Sequence, residues 1–287
     1  MTHATLPAVL STLESAGGNN LCIYDWSLQT SAAAKRGMVL LAHGLGEHMG
    51  RYAHVAAHLN SSGFDVRGYD HFGHGQSSGE RGGLPSDDRL LDDLSLVLAK
   101  TRSEMPRNAP LILIGHSMGG GVAGRFVSLN LGHVDALVMS SPALDADLNG
   151  VQKLLLAVLP TIAPNLRINN GLNAQLICHD PAVVKAYLAD SLVHDRISAR
   201  LAKFIATAGP ATNTLAPQWT TPTLLMYAGQ DKLVNPAGSR AFAASAPNRV
   251  TAQCFEHMYH EIFNEPDQAQ VFACLQTWLD RQFPQPF

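Results

Sequence analysis

Residues 111–119, LILIGHSMG, constrain this chain more than any other stretch. An unbroken apolar run of this length reads as a strand buried on both faces. The following SMGGGVAGRFVSL reads as a helix whose glycines allow close packing on a sheet. Between them, Gly115-His116-Ser117-Met118-Gly119 matches G-x-S-x-G. On composition alone, on the order of 0.1 such matches would arise by chance, so the pattern needs its context. A buried strand before it and a helix after it supply the strand–turn–helix of a nucleophile elbow. The glycines permit a tight turn that projects Ser117 above the sheet, and the helix N-terminus adds partial positive charge. The bland alternative, a glycine-rich turn with an incidental serine, fits that context poorly.

The rest of the chain fits a parallel sheet covered by helices. Strands are predicted at 38–43, 64–70, 136–144, 223–229 and 251–256, and helices at about 51–61, 86–104 and 264–283. LCIYDW (21–26), after GGNN, looks like one arm of an N-terminal hairpin. The interval 145–215 breaks the rhythm, with no convincing strand. Asp180-Pro181 marks a helix start. Leu154, Leu155, Val158 and Leu159 form an apolar face at helical spacing. This predicts a core of residues 1–147 and 214–287 with a helical cap inserted at 148–213.

Composition narrows the function classes. The chain has 287 residues, 46% hydrophobic and 15% charged, with net charge −3. Lys and Arg are scattered, so no nucleic-acid partner is expected. Four cysteines without a CxxC pair read as buried thiols in a reducing compartment. The N-terminal segment lacks the basic and long apolar regions of a secretory signal. The apolar stretch near 154–162 is too short for a bilayer span. A cytoplasmic location is the default expectation, with peripheral contact with lipid through the cap left open. The oligomeric state is not determined by the sequence.

A serine hydroxyl is a poor nucleophile at neutral pH. A histidine must take its proton, and an acid must fix the histidine tautomer. In this fold the order is Ser, acid, His. Asp231 follows the 223–229 strand; Asp145 and Asp147, after the preceding strand, are competing acids. Of the 13 histidines, His257 and His260 follow Asp231. His260, between the last strand and the closing helix, is preferred. Two backbone N–H groups must meet a developing oxyanion. One comes from the residue after the nucleophile, Met118, and one from the loop after the 38–43 strand, Leu45. His71 and His74 beside Asp70 raise the thought of a metal site, but no further ligand spacing accompanies them. No metal or organic cofactor is expected.

Taken together, HGLGEHMGRY (43–52), DHFGHGQSSGERGG (70–83), GHSMGGG (115–121), SSPAL (140–144), GQDKLV (229–234) and YHEIFNEP (259–266) resemble the monoacylglycerol lipase and lysophospholipase branch of the α/β hydrolases. The motifs occur in the same order and cover most of the core. The likeness is looser in the cap, through DPAVVKAYLADSLVHDRIS (180–198). The resemblance implies an α/β-hydrolase fold and a triad of Ser117, Asp231 and His260. It also implies a polar pocket for the glycerol end, formed by Glu47, Arg51, Tyr52 and His116. Glu47 and Arg51 at i,i+4 also suit a simple helix-start ion pair. The implied chemistry is hydrolysis of a small-molecule ester or monoacyl lipid through an acyl-enzyme. Leu154, Leu155, Val158, Leu159 and Ile162 are expected to line an acyl tunnel. Alternatives are a short-chain carboxylesterase, a lysophospholipase or a thioesterase. A receptor that keeps the hydrolase fold is the non-enzymatic alternative. Epoxide hydrolases and haloalkane dehalogenases use Asp where this chain has Ser117.

Overall fold

A computed structural model describes residues 7–28, 35–145, 150–246 and 248–284. Its centre is an eight-stranded sheet in the order β1-β2-β4-β3-β5-β6-β9-β10. The antiparallel hairpin of β1 (Val9–Ser15) and β2 (Asn19–Trp26) forms one edge, and β2 pairs antiparallel with β4 (Phe64–Tyr69). The remaining neighbours run parallel: β3 (Gly37–Ala42), β5 (Leu111–His116), β6 (Ala136–Ser140), β9 (Thr223–Ala228) and β10 (Val250–Phe255).

The unbroken apolar runs have a simple cause. Successive residues of a strand point to opposite faces, and both faces are covered. In β5, Leu111 and Leu113 join one core while Ile112 and Ile114 join the other. The first core lies under α2 (Arg89–Glu104), α3 (Met118–Ser128), α6 (Ala199–Leu215) and α7 (Pro236–Ser245). The second lies under α1 (Ala53–Ser61) and α8 (Gln268–Gln282), where Val271, Leu275 and Leu279 repeat at helical spacing. This is the α/β-hydrolase fold.

Two expectations differ in detail. β6 ends at Ser140 rather than 144, because Ser141 turns to φ 39° ahead of Pro142. The interval after β6 does contain strands: β7 (Arg167–Asn169) and β8 (Arg196–Ser198) pair antiparallel in a separate sheet. Three polar-flanked residues carry too little alternation to be read from sequence. The same interval holds α4 (Gly150–Ile162) and α5 (Pro181–Ala189). Asp180 caps α5 by accepting from Ala182 N at 2.8 Å. α6 lies closely on the loop after β6, and Gly209 permits this, since a Cβ there would sit 2.5 Å from Leu144 Cα.

Candidate active site

The loops at the carboxyl ends of β3, β5, β9 and β10 converge on one small cavity. Ser117 sits between β5 and α3 at φ 54°, ψ −120°. Such a backbone is strained for a non-glycine residue and persists only where its surroundings over-determine it. The Ser117 N–H donates to Ser140 O at 2.9 Å, and its carbonyl accepts from Gly121 N at 3.0 Å and Ala143 N at 2.9 Å. Gly119 is required by close approach, since a Cβ there would lie 2.3 Å from the Ala42 carbonyl oxygen. Met118, the first residue of α3, presents an amide without an intrahelical partner.

His260 and Asp231, distant in sequence, meet in space. With Asp231 ionised, His260 Nδ1–H donates to Asp231 Oδ2 at 2.7 Å, which leaves Nε2 as the ring's acceptor. The other carboxylate oxygen accepts from Leu233 N and Val234 N, both at 2.9 Å. Burial alone would raise the Asp231 pKa, but the His260 charge, its hydrogen bond and the two amides hold it below 3.8. Burial alone would lower that of His260, but Asp231, with Glu261 and Glu47, raises it above 6.5. Gln230 N donates to Met258 O at 3.2 Å and ties the two loops together. Glu265 braces the histidine loop, accepting from Tyr259 N at 3.1 Å and His179 N at 3.1 Å.

The Asp231–His260 pair involves neither of the described competitors. His257 is exposed, and Asp145 accepts from Asn235 Nδ2 at 2.9 Å. Asp147 lies outside the described residues. Asp70 is a buried hub that accepts from Met49 N at 2.7 Å, Gln76 N at 2.7 Å and Tyr24 OH at 3.2 Å. His71 and His74 pack in a buried aromatic group with His43. Among the described residues no three His, Cys, Asp or Glu are grouped to hold a metal ion.

The four polar-pocket candidates are brought together beside the nucleophile. Glu47 Oε1 accepts from Gly44 N and from Tyr52 OH, each at 2.6 Å. Glu47 Oε2 accepts from Arg51 Nη1 at 2.5 Å, so the i,i+4 ion pair forms as well. Burial would raise the Glu47 pKa, but Arg51 and its other partners bring it down to about 2. Burial and the nearby His260 push His116 down to about 4. Its Nδ1 lies 3.1 Å from Ser140 Oγ.

Sequence reasoning missed Glu261. It binds Arg51 bidentately, Oε1 to Nη1 at 2.8 Å and Oε2 to Nη2 at 2.7 Å, so Arg51 bridges Glu47 and Glu261. Tyr187 of α5 was missed too; the Arg51 guanidinium lies 4.7 Å from its ring centroid. The adjacency of Glu261 to His260 was the one available signal.

The cavity, about 90 Å³, is lined by Leu45, Glu47, His116, Ser117, Met118 and His260 on the core side. Leu172, Ile177, Tyr187 and Ile205 close it from the segment between β6 and β9. The expected tunnel residues are not among its lining. Leu154 is 66% exposed and Ile162 71%, with Leu155 and Val158 on the same open face of α4. Helical periodicity revealed an apolar face but could not say which way it turns.

A family model described as serine aminopeptidase, S33 (Hydrolase_4) matches residues 33–267. A monoacylglycerol lipase from Mycolicibacterium smegmatis is 36% identical over 263 residues, spanning 90% of this chain and 92% of that protein. Phospholipase YtpA from Bacillus subtilis is 31% identical over 85% of this chain and 95% of its own length. The crystal structure of a Paleococcus ferrophilus monoacylglycerol lipase superposes with a TM-score of 0.82 at 31% identity, covering 91% of this chain and 99% of that one. The chain belongs to the serine aminopeptidase S33 family of α/β hydrolases, alongside these monoacylglycerol lipases.

Proposed function

We propose that this protein cleaves monoacylglycerols, or closely similar single-chain lipid esters, through an acyl-enzyme. Ser117 Oγ attacks the ester carbonyl while His260 Nε2 takes its proton. The negative charge on the carbonyl oxygen is met by the Leu45 and Met118 amides. Collapse breaks the acyl–oxygen bond, and His260 returns the proton to the departing glycerol oxygen. Water, deprotonated by the same histidine, then releases the fatty acid and regenerates Ser117. Asp231 holds the imidazole in the productive tautomer. The observation that carries this reading is the 2.7 Å Asp231–His260 pair opening onto the same cavity as Ser117. The names of the relatives supply the substrate class. No metal or organic cofactor enters the scheme.

On this reading residues 148–213 form a cap over the site. Glu47, Arg51, Tyr52 and His116 shape the glycerol end of the pocket. Because Glu47 and Arg51 already satisfy one another, we assign direct contact with substrate hydroxyls chiefly to His116. The exposed leucines of α4, with Leu166 at 48% and Ile168 at 55% exposure, suit peripheral contact with a lipid surface. Among the described residues no helix is long and apolar enough to cross a membrane. The free thiols fit a cytoplasmic setting.

One observation favours a second reading, a short-chain carboxylesterase. The 90 Å³ cavity is far below the roughly 300–1,000 Å³ of drug-sized ligand sites. A long acyl chain enters only if the roof moves. Measuring kcat/KM across esters from acetyl to palmitoyl, with and without anionic vesicles, separates the two. A medium-to-long-chain optimum that exceeds triacylglycerol turnover supports the monoacyl lipase. A maximum at acetyl selects the esterase.

A further inference from the structure

We propose that Asp190 is a positioning residue for the oxyanion loop, acting through a hydrogen bond to His48. The loop from His43 to Met49 carries Leu45. On the core side it is held by Glu47 Oε1 on Gly44 N at 2.6 Å and by Asp70 Oδ1 on Met49 N at 2.7 Å. His43 adds a third tie. Its Nε2 accepts from His71 N at 3.0 Å, so Nδ1 carries the proton and donates to Gly44 O at 2.8 Å.

The other flank of the loop is formed by Gly46 and the His48 side chain. It is held by the segment between β6 and β9. His194 N donates to Gly46 O at 2.8 Å. A Cβ on Gly46 would lie 2.4 Å from the His194 carbonyl oxygen, so the two backbones are in direct contact. His48 Nε2 lies 2.8 Å from Asp190 Oδ2. Asp190 is itself fixed, since its Oδ1 accepts from Leu192 N at 2.8 Å. The His48 side chain is 9% exposed and that of Asp190 30%, so the bond is shielded on the loop side and borders solvent on the other.

The geometry makes the roof segment one support of the oxyanion hole. Gly46, with φ 76°, sits between the Leu45 amide and the His194 contact, so a shift of 190–194 passes directly to the donor. A donor displaced by about 1 Å can cost on the order of 100-fold in rate, because the hydrogen bond is required in the transition state and not in the ground state.

The inference rests on the acyl-enzyme reading, and the test keeps the two apart. Steady-state hydrolysis of a soluble p-nitrophenyl ester is measured for wild type, Ser117→Ala, Asp190→Ala, Asp190→Asn, His48→Ala and the double variant Asp190→Ala/His48→Ala. Wild-type turnover that vanishes in Ser117→Ala establishes the reading. Asp190→Ala should then lose about 10- to 100-fold in kcat with KM changed less than about threefold. Asp190→Asn still accepts from Leu192 N through Oδ1 and can donate Nδ2–H to His48 Nε2 in the ring's Nδ1–H tautomer, so it should retain most of kcat. The double variant should be no worse than the poorer single one, since both remove the same tie. If Asp190→Ala fails to fold, His48→Ala reads the tie from the loop side. A folded Asp190→Ala or His48→Ala with wild-type kcat overturns the proposal. So does a loss confined to KM, or an Asn variant as impaired as Ala.

Discussion

The loops at the strand ends and the segment between β6 and β9 meet at one cavity but are built on different principles. Each candidate catalytic group on the core side is fixed several times over. Ser117 is bonded through both its amide and its carbonyl, and Asp231 uses both carboxylate oxygens. In the overlying segment α6, 17 residues long, packs into the first core, while the part ahead of it has a three-residue ribbon, shorter helices, and leucines turned to solvent. Beyond α6, the segment's ties to the core include polar contacts such as His194 N to Gly46 O, Asp190 to His48, His179 to Glu265, Ser198 N to Gly82 O and Glu261 N to Ile177 O, each at 2.8 Å. A rigid floor suits bond-making, which tolerates little displacement, while a roof joined to it partly through separable hydrogen bonds suits admission of substrate into a cavity too small to receive it as it stands.

The largest test of that contrast is on the floor. His260→Ala should fall by about 10⁶-fold in kcat, as loss of the base does in a serine protease. Asp231→Asn should fall by roughly 10⁴-fold, because an amide there favours the wrong tautomer. Steady-state kinetics on a soluble ester checks both. A mild Asp231→Asn alongside a severe Asp145→Asn would move the acid to the other strand end.

Stability should divide the same way. Phe126 is fully buried between α3 and the sheet, so Phe126→Ala should cost about 3–5 kcal/mol in denaturant unfolding. Ile162→Ala, on the open face of α4, should change stability by less than about 0.5 kcal/mol. A large loss at Ile162 would show that this face is covered in solution.

The smallest expected effects are in pH. His260 must be neutral to act as base, and Asp231, Glu261 and Glu47 raise its pKa against burial. The acid limb of kcat/KM should therefore have its midpoint above 6.5. Stability depends on a different set of histidines. Burial lowers His43, His71 and His74, so they stay neutral inside while the unfolded chain takes up protons. His116 and His194, lowered to about 4, act in the same sense, so stability present above the ordinary value of 6.5 is lost progressively as pH falls. His260, raised, works in the opposite sense and partly offsets this. An acid limb of kcat/KM well below 6.5 would detach activity from His260.

Much of the floor was legible in sequence. Strands sandwiched between helices are apolar at every position, so β3, β5 and β9 stand out without alternation. The serine declares itself through the turn its glycines allow, and chain order narrows its partners. What stayed hidden depends on direction and distance through space. The α4 leucines have the same spacing whether they face a tunnel or solvent. Glu261 reaches Arg51 across 210 residues, and Asp190 reaches His48 across 142. Neither pairing leaves a local periodicity.

The central claim is that Ser117 is the nucleophile of a serine hydrolase. It is tested most directly by covalent labelling with a fluorophosphonate, located by peptide mass spectrometry. One adduct per chain, on the peptide containing Ser117 and abolished in both Ser117→Ala and the acid-quenched protein, is the predicted result. Labelling that persists in folded Ser117→Ala, or a wild-type adduct on any other residue, would contradict it.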